Sequence, residues 1–228
     1  GCEFLLVFDD GSFSENATFS ITDWLAHTPR DVVARDLGIC EDDLAGLPSG
    51  ERYIFPGTLP GPLPANGGTV SESFSCRLGE VEPVRCRGGT VRIADSRTFP
   101  ASVTVASALV EVQPGGLREL HWHPNADEWQ YYIQGVGRMT VFAAEGRART
   151  FDYVAGDVGY VPFAMGHYIE NVGDEPLRFL ELFRSDRYAD VSLAQWMALT
   201  PTPLLVDNVQ LGERAAGQLR SEKDPIPR

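Results

Sequence analysis

The sequence predicts an all-β fold, a sandwich or barrel with flanking α-helices, and three observations carry that reading. Between residues 76 and 184 apolar residues alternate with polar ones in short runs, each closed by Gly, Pro or Asn, which is the pattern of strands buried on one face. Only residues 21–37 and, in part, 193–209 show the three- and four-residue apolar spacing of a helix. Between the first helical segment and the β region lies FPGTLPGPLPANGG, a stretch too rich in Pro and Gly to keep regular hydrogen bonding.

Taken in order, the chain opens on CEFLLVF, an apolar strand pattern, and then enters the helical segment Ile21 to Leu37. After the linker come the runs VRIAD, SVTVASALVEV, the strand leading into HWH, WQYYI, GRMTVFAA, ARTFDYV, GDVGYV, HYIENV and LRFLELF, followed by the second helical segment. An internal repeat cuts across this order. EFLLVFDDG (residues 3–11) parallels RFLELFRSD (178–186), and SITDWLAHTP (20–29) parallels SLAQWMALTP (192–201), with Trp24 matching Trp196. In the second copy the unit follows a complete β region; in the first it follows nothing. The expected organisation is therefore residues 1–50 as the tail of a preceding β domain, 51–75 as linker, 76–190 as a barrel and 191–228 as a C-terminal helical segment.

Composition narrows the function classes. A chain of 228 residues with 43% apolar content can bury a sizeable core, and no apolar run reaches the length of a membrane span. Nineteen basic against 32 acidic residues give a net charge of −13, which repels nucleic acid and anionic lipid, so neither is expected as a partner. Four cysteines without a C-x-x-C pair read as mostly free thiols.

The chemistry concentrates in LRELHWHPNADEW (117–129). His121 and His123 share a strand face because side chains alternate, Glu128 follows a Pro124-Asn125 turn, and His167 opens a later strand. Three imidazoles and a carboxylate form a mixed nitrogen and oxygen donor set with room for further ligands, which suits Mn²⁺ or Fe²⁺ better than a closed structural zinc. The competing reading is three ordinary polar histidines; His27, on a helix face, takes that ordinary reading. Arg118 has the opposite strand parity to His121, so it points inward only if the chain bends, for which Pro114-Gly115-Gly116 leaves scope; otherwise it is a solvated surface arginine. In FLELF, Phe179, Glu181 and Phe183 share a face, so Glu181 needs a partner or a raised pKa unless it ends the strand in water.

Gly115-x5-His121-x-His123-x4-Glu128-x6-Gly135 resembles the first cupin motif, and Gly156-x5-Pro162 through His167-x3-Asn171 resembles the second. The second departs from the pattern, with Pro162-Phe163-Ala164-Met165-Gly166 in place of P-x-G. HWHPNADEWQYYI, AGDVGYVPFAMGHYIEN, FDDGSFSEN and YADVSLAQW are similar to the bicupin oxalate decarboxylases over nearly the whole length. That resemblance implies a double-stranded β-helix (jelly-roll) barrel, preceded by the tail of a first cupin. It implies Mn²⁺ bound by His121, His123, Glu128 and His167, with dioxygen as co-catalyst and the dianion oxalate as substrate. It further implies Arg118 as a substrate-contacting group, Glu181 as acid, base or polar support with Tyr188 near it, and Glu15, in Ser14-Glu15-Asn16, as the proton-handling glutamate of a mobile lid. Glu15 would belong to the first barrel's metal and be stranded here.

The implied reaction is a carbon–carbon lyase cleavage of oxalate to formate and carbon dioxide. Two alternatives stand beside it, a metal-binding cupin module without turnover and an oxalate oxidase producing hydrogen peroxide. Homo-oligomerisation is expected from the apolar opening segment, which lacks a barrel of its own. Location stays open, with cytoplasm expected for a bacterial chain and secretion open to a fungal one.

Overall fold

The computed structural model describes residues 2–12, 19–62 and 70–228. It forms two compact units, Gly1–Thr69 and Val70–Arg228. In the first, helices α1 (Ile21–Ala26) and α2 (Arg30–Leu37) are followed by a 3₁₀ turn, Glu41–Gly46. Val33, Ala34 and Leu44 form its small core, with Leu25 and Leu47 packed against them.

The opening run does not form the expected strand. Residues 2–8 join no ladder, and Phe4 and Leu6 stay exposed. Apolar alternation supplies a face to bury, but a strand also needs a ladder with a neighbouring strand, and this run takes part in none among the described residues.

The second unit carries the strands β1 (Val84–Cys86), β2 (Gly89–Ala94), β3 (Ala106–Val112), β4 (Leu117–Trp122), β5 (Glu128–Gln134) and β6 (Val136–Ala143). They continue with β7 (Arg147–Val154), β8 (Val158–Val161), β9 (Gly166–Asn171), β10 (Leu177–Phe183) and β11 (Val191–Ser192). The helices α3 (Leu193–Ala198), α4 (Thr202–Val209) and α5 (Glu213–Ala216) follow. Two antiparallel sheets result, one ordered β1-β2-β3-β10-β5-β8 and the other β11-β4-β9-β6-β7. Among the described residues no helix is long and apolar enough to cross a membrane.

The core lies between the sheets. Alternation puts Ala108, Val110 and Val112 of β3, Leu177 and Phe179 of β10, Met139 and Val141 of β6 and Ile169 of β9 on facing inner surfaces. Tyr132 stacks between Tyr153 and Phe179, with ring centroids 4.5 and 5.4 Å away. β1 and β11 escape sequence reading because two or three residues cannot display a period.

The repeat seen in the sequence is also a repeat in structure. Ser20 and Ser192 each cap a six-residue helix by accepting from the N–H of Asp23 and Gln195. Each helix is then ended by the threonine and proline of the shared pattern: Thr28 and Thr200 bond back to the carbonyls of Trp24 and Trp196, and Pro29 and Pro201 start the next helix. The expected single helices are thus each broken in two, because the proline ring forbids a continuous ladder.

The last residues close one end of the barrel. Pro225 and Pro227 accept from the N–H groups of Glu119 and Leu117, so the tail runs along β4 as an added edge, and Ile226, fully buried, enters the core. A Cβ on Gly88 would sit 2.6 Å from the Pro227 oxygen, which explains a glycine there. The turn before β9 holds the motif departure noted above. Ala164, at the glycine position of P-x-G, has φ 58°, the left-handed region that glycine occupies freely.

Two stability effects follow. Ile226→Ala should cost about 2–5 kcal/mol in urea unfolding, since the cavity opens in the packed barrel end. Ala164→Gly should raise stability by up to about 1 kcal/mol, and a loss would show that the turn is unstrained.

Candidate metal centre

His121 lies on β4, His167 on β9, Glu128 at the start of β5, and His123 one residue beyond β4. His121 and His167 face each other across the ladder, while Glu128 comes from the opposite sheet. Each of the four offers one donor atom, and these atoms lie within 4.8 Å of one another, all buried. The structure therefore brings together the four residues that the sequence singled out.

Hydrogen bonding fixes the tautomers. Nδ1 of His121 lies 2.7 Å from the Glu119 carbonyl, Nδ1 of His123 2.7 Å from that of Ala189, and Nδ1 of His167 3.0 Å from that of Met165. A carbonyl only accepts, so each Nδ1 carries hydrogen and each Nε2 faces the centre, where the neutral ring offers a lone pair to a cation. Glu128 Oε2 stands 2.7 Å from Nε2 of His167 and 3.1 Å from Nε2 of His123. All three Nε2 atoms and this oxygen are buried without a hydrogen-bond partner. Four electron-rich atoms at such distances repel one another unless a positive charge lies between them. The donor set fits a divalent cation, with Glu128 Oε1 fixed by Gln130 at 2.7 Å and Gln130 in turn held by the Tyr132 hydroxyl at 2.8 Å. Residues 128, 130 and 132 share one strand face, so this support was readable from EWQYY once Glu128 was suspected.

Beside the centre sits a second cluster, built on Arg118. Its side chain is fully buried, which rules out the solvated-surface alternative. The cause is a bulge in β4: from Arg118 to His121 the strand advances three residues while β9 advances two, from Ile169 to His167. One extra residue reverses parity, so both side chains turn inward. Arg118 donates from Nε to Glu181 at 3.4 Å, from Nη2 to the Tyr188 hydroxyl at 2.7 Å and to Asp190 at 2.6 Å, and from Nη1 to the Pro225 carbonyl at 3.5 Å. Asp190 is held from its other side by Lys223. Burial opposes charge on Asp190, but Arg118 and Lys223 outweigh it and hold its pKa down to about 2. Asp190 and Lys223 carried no sequence signal, because neither belongs to a periodic pattern and their partners are distant in the chain.

Glu181 is also fully buried, so it does not end its strand in water. Burial first, and then the neighbouring Glu128 charge, push its pKa up to about 7 against the pull of Arg118. Tyr188 touches both Arg118 and Asp190, and its ring meets that of His123 at 5.9 Å. Burial raises its pKa further, so the phenol stays protonated. Glu15 lies outside the described residues.

A cupin family model matches residues 78–215, a stretch that holds both sheets and all four donors. The chain belongs to the cupin family. This cupin is 58% identical to the oxalate decarboxylase OxdC of Bacillus subtilis (strain 168), over 99% of the chain and 60% of that relative. It is 43% identical to a probable oxalate decarboxylase of Arthroderma benhamiae, over 98% of the chain and 57% of the relative. A solved structure of the Bacillus subtilis enzyme, from work on its Mn(II) centres, superposes with a TM-score of 0.88 at 55% identity, covering 96% of this chain and 59% of that one. The chain thus spans about 60% of the length of the bacterial relative. The barrel, the two sheets and the jelly-roll expectation agree with this fold.

The raised carboxyl sets a pH dependence for the metal-free cupin. Between the ordinary glutamate value and about 7 the folded state keeps a proton on Glu181 that the unfolded chain has lost, so stability falls as pH rises through that window. The loss should be on the order of 2–3 kcal/mol by denaturant titration. Glu181→Gln should flatten the slope; an unchanged slope would assign it to another group.

Proposed function

We propose that this cupin is the metal-bearing part of a manganese-dependent oxalate decarboxylase. The single observation that carries the reading is the set of four buried, unpartnered donors that converge from both sheets, next to a buried arginine and a buried carboxyl. The decarboxylase relatives point to the same chemistry.

The reaction breaks one carbon–carbon bond, forms one carbon–hydrogen bond and consumes one proton, giving carbon dioxide and formate. A bound manganese ion supplies a Lewis acid for the carboxylate and one-electron chemistry. The protein's own groups do the rest. Three neutral imidazoles and Glu128 fix the centre in orientation, with the Nδ1 hydrogens anchored to backbone carbonyls. Glu181, shielded from water, holds or accepts a proton at Oε2, the oxygen that has no hydrogen-bond partner among the described residues. Arg118 donates to its other oxygen and places a fixed positive charge beside the reacting carboxylate. Tyr188 and Asp190 keep that guanidinium in place. Four of the five N–H groups of Arg118 are taken up by protein partners, so its role is mainly electrostatic support. Glu15 extends the reading as a lid group of a first barrel.

Manganese-loaded protein given oxalate should release formate and take up protons. Hydrogen peroxide without formate would show an oxidase, and neither product would show a binding module. Glu181→Gln should lower turnover about a hundredfold or more while keeping manganese bound, whereas His121→Ala should lose the metal itself, read by its EPR signal.

A further inference from the structure

The inner face of the second sheet continues past the metal centre to its edge strand. In the ladder registers, His121 of β4 faces His167 of β9, His167 shares its row with Val141 of β6, and Val141 faces Arg149 of β7. Residues directly opposite one another in antiparallel strands project from the same face. Arg149 is therefore the last member of the cross-strand row that holds two of the four donors, about 10 Å from His167 at two strand spacings. The ladder between β6 and β7 has no register shift, and the neighbouring inner positions of β7, Phe151 and Tyr153, do pack against the core. Parity thus points Arg149 inward at the level where the core ends.

A cavity of about 270 Å³ opens there, lined by Val141, Ala143, Arg147, Arg149, Phe151 and Met165 among others. Its wall is tied to the centre, because the Met165 carbonyl bonds His167 Nδ1. The Arg149 guanidinium carbon lies 5.1 Å from the centre of the Phe151 ring, a cation–π contact that anchors the side chain. Arg147, one inner position further out, has Glu145 at 3.4 Å, while among the described residues no carboxylate pairs with Arg149. On the outer face of the same strand pair, by contrast, Arg138 is neutralised by Asp152 at 2.7 Å. In a chain of net charge −13, an arginine without a counter-ion among the described residues, on the cross-strand row that holds two of the donors and beside a surface cavity, is suited to one class of ligand.

We propose that Arg149 is the anion-attracting residue of this centre: its unpaired positive charge, on the row that holds His121 and His167, favours the carboxylates of a small dianion at the metal. The role rests on the proposed function, since it takes the centre to hold a divalent ion and to accept a dicarboxylate. It differs from that of Arg118, which is enclosed and committed to protein partners. Arg149 offers an exposed guanidinium whose fork matches a carboxylate edge to edge.

The test is oxalate binding to the manganese-loaded chain by calorimetry, at about 0.02 M and about 0.5 M salt, with the Mn²⁺ EPR signal followed in parallel. Arg149→Glu should raise the dissociation constant roughly tenfold at low salt and less than about twofold at high salt, because screening removes a steering charge. Arg149→Lys should stay within about threefold of the unaltered protein. Arg85→Glu, the same charge reversal on the exposed strand β1, should change little, which separates a local role from net charge. Equal effects of the two reversals would overturn the proposal, as would loss of manganese from Arg149→Glu, which would make the arginine structural. If the unaltered protein binds manganese but no oxalate, the functional reading fails and Arg149 with it. If it binds oxalate and Arg149→Glu binds it equally well, only the role of Arg149 fails.

Discussion

Three imidazole nitrogens and a carboxylate oxygen converge, buried and without a protein hydrogen-bond partner, and the barrel is arranged around that unsatisfied point. Such a cluster is costly in a folded protein that has nothing to put inside it. It persists because each member is tied from behind: the imidazoles by carbonyls of Glu119, Ala189 and Met165, the carboxylate by Gln130 and through it Tyr132. Those ties come from strands and turns that the hydrophobic core holds in register, so the core's packing energy keeps the donors together. A cation at that point turns a repulsive cluster into the best-satisfied part of the molecule.

The same constraint explains two local irregularities. A regular β4 would turn Arg118 away from the face that bears His121, leaving Glu181 buried beside Glu128 with less to balance it. The extra residue in β4 puts the guanidinium inside, and the tail of the chain then seals it with the Pro225 carbonyl and with Lys223 on Asp190. In the turn before His167, Ala164 takes a left-handed backbone in a position where glycine is easier, held by its N–H on the His123 carbonyl at 3.3 Å. In both places local regularity yields to the placing of a side chain near the ion.

Much of this was legible in the sequence, for identifiable reasons. Period-two alternation revealed most of the strands, and H-x-H with a following glutamate and a distant histidine revealed the centre, since those residues need only strand parity and a turn to meet. Arg118 was ambiguous because a bulge leaves no compositional mark beyond nearby glycines, and Asp190 with Lys223 was invisible because their pairing is purely tertiary. EFLLVF misled for the opposite reason. Its twin, RFLELF, is a strand because β3 and β5 flank it, and the same pattern in EFLLVF joins no ladder among the described residues. A periodic pattern states which face wants burial; the neighbours decide whether it becomes a strand.

The charge distribution supplies the last step. A protein with 32 acidic residues presents a repulsive field to any small dianion, so the cations that matter are those placed to act against that field locally. Arg118 sits among Glu181, Asp190 and Tyr188, and its charge is largely spent on keeping that group together and on opposing the pull of Glu128 upon Glu181. It therefore sets the proton affinity of the buried carboxyl more than it attracts anything from outside. An anion crossing from solvent to the ion needs a positive charge that the protein has left unspent, and the inner face of the sheet places such a charge at its edge, in line with the donors. Two arginines of one barrel thus differ in kind, because one is committed to buried protein partners and the other meets no carboxylate among the described residues.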